Sequence, residues 1–161
     1  MRLIKYLYLS PILLITLAAC SHSDDQAVDE NLLDVVWRAD SLRTPDGKIV
    51  VVSDSLVMIM QFDDTTLVSI RRPFMTAKFS GDMEIAGYLA CNDYYGTYKI
   101  PEKTTITINM LGWTEIACTN WEFIENSFHH ALEYVTAYEV AENRLTLYDE
   151  DHQYVLNFSI E

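Results

Sequence analysis

The chain has 161 residues, and its 24 acidic and 11 basic side chains give a net charge of −13 at pH 7. So acidic a sequence, without clusters of Lys or Arg, argues against a nucleic-acid partner, because phosphate backbones are bound through clustered positive charge. Half of the residues are hydrophobic and ten are tyrosine. This length and composition predict one domain, rich in strands and large enough for a real core.

The first 20 residues have the pattern of a secretion signal. Arg2 and Lys5 precede an apolar run, and small residues come directly before Cys20. The pattern resembles the lipobox of bacterial lipoproteins, which implies removal of residues 1–19 and attachment of lipid to Cys20. An uncleaved membrane helix is the alternative, but the run contains Pro11 and is near the lower length limit for spanning a bilayer. The expected location is the bacterial cell envelope, anchored by lipid in the outer membrane, with the membrane face left open.

Residues 20–35 are predicted to be an acidic tether that precedes a folded domain at residues 36–161. Between residues 21 and 31 the chain lacks the apolar side chains that would offset the entropy of ordering. Acidic residues soon after a lipidated cysteine resemble the surface-export signals of some bacterial lipoproteins. A solvated linker is the alternative interpretation.

Strand signals fill most of the predicted domain. Short runs rich in β-branched and aromatic residues are separated by turn residues, most clearly Pro45, Asp46 and Gly47. Strict alternation over residues 105–110 places three apolar side chains on one face of a strand. The predicted strands are 36–44, 48–53, 56–62, 65–71, 74–79, 83–88, 105–110, 138–141, 144–148 and 153–160.

One helix is predicted to interrupt the strands. Thr119, with Glu122 three residues later, has the pattern of a capping box at the helix start. Apolar residues then recur at helical spacing, which predicts a stripe packed on the sheet, with a ligand groove as the alternative. The stripe consists of Trp121, Ile124, Phe128, Ala131, Leu132 and Val135, and the opposite face of Glu122, Glu125, Asn126, His129 and Glu133.

An ordered set of motifs resembles the META/HslJ-like domain family. Residues 87–98 match its G-x-x-G-C-N and G-x-Y motifs, and residues 114–118 match its T-x-x-A-C motif. In the first of these motifs, Ala90 stands where the family usually has its second glycine. Residues 125–132 match the family's E-x-x-F-x-x-x-L helix. The resemblance implies an α+β domain in which a strongly curved antiparallel sheet, open and barrel-like, carries one packed helix.

The resemblance implies little chemistry. Members are commonly envelope or secreted proteins associated with stress, drug tolerance or virulence, and no catalytic residues or cofactor are established for the family.

Lipidation would use Cys20, which leaves Cys91 and Cys118 as an even pair. A disulfide between these two is expected in an oxidising compartment. Two buried free thiols are the alternative. The matched residues are interpreted as structural: Cys91, Asn92, Gly96, Tyr98, Thr114 and Cys118.

The residues themselves indicate no metal site. His129 and His130 are adjacent on a helix and point about 100° apart, so they are not expected to chelate an ion as an i, i+4 pair could. The acids at Asp63 and Asp64 and at residues 149–151 lack the spacing of a calcium loop and are interpreted as solvated turns. No nucleophile motif or paired-cysteine zinc spacing is present in the sequence.

Two classes of function follow. The favoured one is a non-catalytic binding or scaffolding module for another envelope protein, a glycan or a hydrophobic molecule, to which it would present those of Tyr88, Tyr94, Tyr95 and Tyr98 that are exposed. The alternative is an enzyme with an unrecognised site near Asn92, Asp93 and the helix. An exposed aromatic patch would favour the first class, and a deep cleft with perturbed acids the second.

Overall fold

Eleven strands and one α-helix lie within residues 28–52, 56–61, 64–69, 75–117 and 121–160, which the computed structural model describes. The helix, α1, spans Glu122–Tyr134 and lies between the eighth and ninth strands. The strands are β1 (Val36–Arg43), β2 (Ile49–Val52), β3 (Leu56–Gln61), β4 (Asp64–Ser69), β5 (Thr76–Phe79), β6 (Glu84–Tyr88), β7 (Asp93–Lys99), β8 (Thr107–Trp113), β9 (Ala137–Ala141), β10 (Arg144–Tyr148) and β11 (Val155–Ser159).

The strands form one antiparallel sheet that curls around β1. One arm runs from β1 through β5, β6 and β7 to β8, and the other runs through β11 and β10 to β9. Strands β2, β3 and β4 extend from the second half of β1. The far ends of the two arms meet where the Ile106 N–H donates to the Thr136 carbonyl and the Tyr138 N–H to the Thr104 carbonyl, both at 2.9 Å. The predicted α+β class, with a strongly curved sheet and one helix, is confirmed: the sheet forms a half-barrel.

The core lies between the concave face of the sheet and α1. The helix buries Ile124, Phe128, Ala131 and Leu132, so the predicted apolar stripe is confirmed. Burying four such side chains on one face of a helix is the packing that a 3.6-residue period produces. The largest side chains with almost no exposed surface are Trp37, Phe79, Tyr94, Tyr98, Phe128 and Phe158.

The predicted strands lie where the structure has strands, but several differ from them in length and one observed strand was not predicted. Alternation at the start of β8 is confirmed, because Ile106 and Ile108 are buried while Thr107 and Asn109 are exposed. The pattern does not predict β7 as a strand. Its inward positions include Gly96, and a glycine in a strand interior weakens the strand signal. A Cβ added at Gly96 would lie 2.6 Å from the Asn109 carbonyl oxygen, so this glycine permits the close pairing of β7 with β8.

The predicted capping box is wrong. The N-cap of α1 is Trp121, whose side chain makes no capping hydrogen bond, and the Glu125 N–H donates to the Trp121 carbonyl at 2.9 Å. Glu122 is therefore the first helical residue and not the third. Thr119 lies outside the described residues.

The predicted boundary between tether and domain at residue 36 is also wrong. Asp29 caps a short 3-10 helix, Glu30–Leu32, and Leu32 is fully buried. The Trp37 indole N–H donates to the Leu32 carbonyl at 3.1 Å, and the Asp34 N–H donates to the Phe79 carbonyl at 2.8 Å. The burial of Leu32 and these two hydrogen bonds hold this end of the predicted tether against the core. The predicted signal peptide and the predicted tether up to residue 27 lie outside the described residues.

Replacing Gly87 with alanine should destabilise the sheet. A Cβ at this position would lie 2.0 Å from the Thr76 carbonyl oxygen, and the neighbouring backbone would have to shift. We expect a loss of about 1–3 kcal/mol in the free energy of unfolding by urea denaturation, which is the usual cost of overpacking. Gly81→Ala is the matched control, because no atom lies within 4 Å of its added Cβ. Equal stability of the two variants would contradict the close approach.

Candidate functional site

Asn92 is a buried hydrogen-bonding residue where three parts of the chain meet. Its side chain is 4% exposed and lies between the loop after β6, the end of β8 and the first turn of α1. Its Oδ1 accepts hydrogen bonds from the Ile116 N–H at 2.8 Å and from the Thr114 hydroxyl at 2.9 Å. Its Nδ2 donates to Glu125 Oε2 at 2.8 Å. These bonds satisfy both ends of a buried amide.

Glu125 supplies the helix's share of this network. Its Oε1 accepts hydrogen bonds from the backbone N–H groups of Cys91 at 2.7 Å and Asn92 at 2.8 Å. The prediction that Glu125 faces away from the fold is therefore wrong. An ionised carboxylate only accepts hydrogen bonds, and charge-assisted bonds are stronger than neutral ones, so this side chain suits a loop whose backbone N–H groups point towards it. Its place in the first turn of α1 also suits the helix dipole.

Thr114 completes the network at the end of β8. Its hydroxyl accepts a hydrogen bond from the Asp93 N–H at 3.0 Å, and its own N–H donates to the Asp93 carbonyl at 2.9 Å. The motif residues Asn92, Thr114 and Glu125 thus meet in one place, although they are far apart in sequence. We call them the Asn92 network, and their arrangement supports a structural role.

Cys91 is disulfide-bonded in the structure. Cys118 and Cys20 both lie outside the described residues. The bond between Cys91 and Cys118 therefore stays a prediction.

The tyrosines predicted to form a binding surface do not share one face. Tyr94 and Tyr98 are each 2% exposed, and their hydroxyls donate to the carbonyls of Thr76 and Ser80, both at 2.7 Å. Burial raises the pKa of Tyr94 far above its ordinary value. The surface prediction is wrong for Tyr94 and Tyr98, because alternation along β7 directs even-numbered side chains into the half-barrel. Tyr88 and Tyr95, which face outward, are 48% and 58% exposed, so a binding role for these two stays a prediction.

A cleft of about 470 Å³ opens beside the Asn92 network, between the end of β8 and the start of α1. Two of its apolar side chains, Trp113 and Ile116, are 47% and 58% exposed. We call it the Trp113 cleft. Its other described lining residues are Asn92, Glu115, Ala117, Glu122, Glu125 and Asn126, so three carboxylates and no positively charged group line the part of it that the structure describes.

His129 lies next to this cleft. The sequence pattern predicts that it is a surface residue on the outer face of α1, and this prediction is wrong. Its side chain is 11% exposed, and the Trp113 ring packs against it with ring centroids 4.3 Å apart. Its Nε2 is buried and has no hydrogen-bond partner among the described residues. The helical period places His129 opposite the core stripe, but the end of β8 covers that face.

The buried imidazole should make stability depend on pH. Burial lowers the pKa of His129, with His130 adding to the effect and Glu133 opposing it. The unfolded chain then binds a proton more readily, so stability should fall as the pH drops below about 6.5, the ordinary histidine pKa. We expect His129→Gln to lose less stability than the wild type between neutral and mildly acidic pH, measured by urea denaturation. His152→Gln is the control, and parallel pH profiles for wild type and His129→Gln would contradict this prediction.

The comparisons with known proteins decide the family. The sequence profile of the META domain matches residues 30–160. The chain belongs to the META domain family. The match begins before the predicted boundary at residue 36, as does the fold. No curated protein matches the chain.

Two solved structures are similar to this META domain. A protein from Burkholderia xenovorans, solved by NMR, is 20% identical with a TM-score of 0.54, covering 86% of this chain and 95% of that one. A DUF4847 family protein from Bacteroides vulgatus ATCC 8482 is 22% identical with a TM-score of 0.45. That match covers 53% of this chain and 57% of the other, which is less than two thirds of its length. The likeness to the Burkholderia xenovorans protein shows the fold alone.

The described part of the META domain contains no helix that is long and apolar enough to cross a membrane.

Proposed function

We propose that this META domain is a non-catalytic binding module of the bacterial cell envelope that holds cationic amphiphiles in the Trp113 cleft. The observation that carries the proposal is the lining of the cleft, where half-exposed Trp113 and Ile116 lie beside three carboxylates. Apolar side chains with a few fixed polar groups are typical of small-molecule sites. A tryptophan face beside carboxylates suits a ligand that has an apolar body and a positive charge.

A binding role fits the bonding of Glu125 better than catalysis does. Both of its carboxylate oxygens accept hydrogen bonds from the loop that carries Cys91 and Asn92. A general base needs a free oxygen within reach of a substrate proton. The two other carboxylates of the cleft, Glu115 and Glu122, are exposed and are free to meet a cation.

The proposed location of the protein in the cell is the outer membrane, where a lipid on Cys20 would anchor it. A single acyl chain binds membranes weakly and several anchor stably. A module held there, with affinity for cationic amphiphiles, would lower the free concentration of such compounds at the membrane. This would support a role in envelope stress and drug tolerance.

Changing Cys20 to alanine should remove the anchor. We expect loss of the incorporated lipid and release of the protein from the membrane fraction, while the domain stays folded. Lipid labelling, membrane fractionation and circular dichroism of the released protein measure these three outcomes. A variant that still fractionates with the membrane would contradict anchoring through Cys20.

The ligand class is tested by titrating the protein with decyltrimethylammonium and with decyl sulfate, each below its micelle concentration, in an isothermal calorimeter. Only the cationic amphiphile should bind, and the double variant Glu115→Gln, Glu122→Gln should bind it at least about tenfold more weakly, equivalent to about 1.4 kcal/mol. Tyr88→Ser is the matched control, because Tyr88 is an exposed aromatic residue outside the cleft. Equal binding of the two amphiphiles would overturn the proposed charge preference.

A further inference from the structure

The side of α1 next to the cleft brings three metal-ligating side chains together. One ligand atom from each of His129, His130 and Glu133 lies within 4.8 Å of the other two. Nδ1 of His129 and Nδ1 of His130 are each 3.6 Å from the same oxygen, Glu133 Oε2. Adjacent histidines on a helix diverge, which predicts no chelate from the pair alone. Glu133, however, follows the two histidines by four and three residues, and its carboxylate reaches both.

We propose that His129, His130 and Glu133 form a binding site for a divalent transition metal of the zinc and copper type. Two imidazoles and one carboxylate are the ligand set that zinc accepts in open, three-residue sites, where solvent completes the tetrahedron. With metal–ligand bonds of about 2.0–2.1 Å, ligand atoms in a tetrahedral site are about 3.4 Å apart. The two observed separations of 3.6 Å are close to that value.

The environment of His129 prepares it as a ligand. The Trp113 ring packs against the imidazole and restricts its orientation. Its Nε2 is buried, so only Nδ1, on the side of Glu133, remains for an ion to reach.

The remaining two ligands can adjust to an ion. The side chains of His130 and Glu133 are 56% and 41% exposed, so small rotations could bring their ligand atoms to coordination distance. Because both lie at the surface, solvent can supply the remaining ligands. The site rests on these three side chains and does not depend on the ligand proposed for the Trp113 cleft.

The test is calorimetry of the full chain, purified in detergent without a histidine tag and titrated with Zn²⁺ alone. We expect one Zn²⁺ ion per chain, and affinity at least about tenfold weaker in His130→Ala and in Glu133→Gln. These two variants alter exposed side chains, so loss of folding does not confuse the result. His152→Ala and His22→Ala are the matched controls and should bind as the wild type does.

A second readout locates the ion. Cu²⁺ should quench tryptophan fluorescence, and Trp113→Phe should remove most of the quenching while one Zn²⁺ ion still binds. Absence of Zn²⁺ binding, or unchanged affinity in both His130→Ala and Glu133→Gln, would overturn the site. Loss of binding in His22→Ala or His152→Ala instead would assign the ion to another part of the chain and would equally overturn it.

Discussion

Phe128→Ala should lower the free energy of unfolding by about 3–5 kcal/mol, the usual cost of truncating a buried aromatic residue. Phe128 is fully buried, and its ring lies between those of Tyr94 and Phe158, with centroid distances of 6.3 and 6.0 Å. These contacts join α1 to both arms of the sheet, so the cavity would lie at the centre of the half-barrel. A small domain is stabilised by only about 5–15 kcal/mol, and the loss should therefore be severe. Urea denaturation measures it.

Phe123→Ala is the matched control on the same helix. Phe123 is 39% exposed, and the Nζ of Lys48 lies 4.6 Å from the centroid of its ring. An exposed cation–π contact contributes about 0.5–1 kcal/mol, so this variant should stay close to the wild type. Similar losses for the two variants would show that α1 is not held by its apolar stripe.

Asn92→Ala should lower the free energy of unfolding by about 2–4 kcal/mol. The change removes the acceptor of the Ile116 N–H and the Thr114 hydroxyl, and the donor to Glu125 Oε2. Each buried group left without a partner costs about 1–3 kcal/mol, and entry of water would offset part of the sum. Asn126→Ala is the control, because Asn126 lines the same cleft but is exposed. That variant should stay within about 0.5 kcal/mol of the wild type, as surface substitutions usually do.

Asn92→Asp separates the hydrogen bonds from the shape of the side chain. The new carboxylate would still accept from Ile116 and Thr114, but it would face Glu125 Oε2 at the 2.8 Å where the amide now donates. Two carboxylates at that distance repel unless one of them is protonated. Stability lost at pH 7 should therefore return as the pH falls and one proton bridges the pair. A deficit that does not depend on pH would contradict this account of the network.

The helix and its packing could be predicted from the sequence, because a period of 3.6 residues is a local property of the chain. The start of the helix could not. Thr119 and Glu122 fit a capping box, yet the helix begins at Glu122 because Trp121 takes the N-cap position. Local patterns offer several possible starts, and packing selects among them.

The Asn92 network could be predicted only in part. Its residues were identified as structural from their motifs, but the partner of Asn92 is 33 residues away and the sequence does not show the distance between them in space. Glu125 was placed on the outer face, where the helical period puts it. The signal that could have identified it is that Glu125 belongs to the same ordered set of family motifs as Asn92 and Thr114.

The environment of His129 depends on an element that the helical pattern does not contain. Trp113 ends β8, at one end of an arm of the sheet, and covers a helix face that would otherwise be solvated. Alternation in the same way separates Tyr94 and Tyr98 from Tyr95, but it does not show which of the two faces is buried. The sequence therefore predicts the period of each helix or strand well, but it does not show which element packs against each face.

The claim that the Trp113 cleft binds a cationic amphiphile is tested most directly by mapping amide chemical shifts during a titration with decyltrimethylammonium. We expect the largest shifts at residues 113–117 and at the start of α1, and these shifts should be lost with decyl sulfate at the same concentration. Shifts centred on Tyr88, which lies outside the cleft, or shifts of equal size with the two amphiphiles, would contradict the assignment of the cleft as a site for cationic ligands.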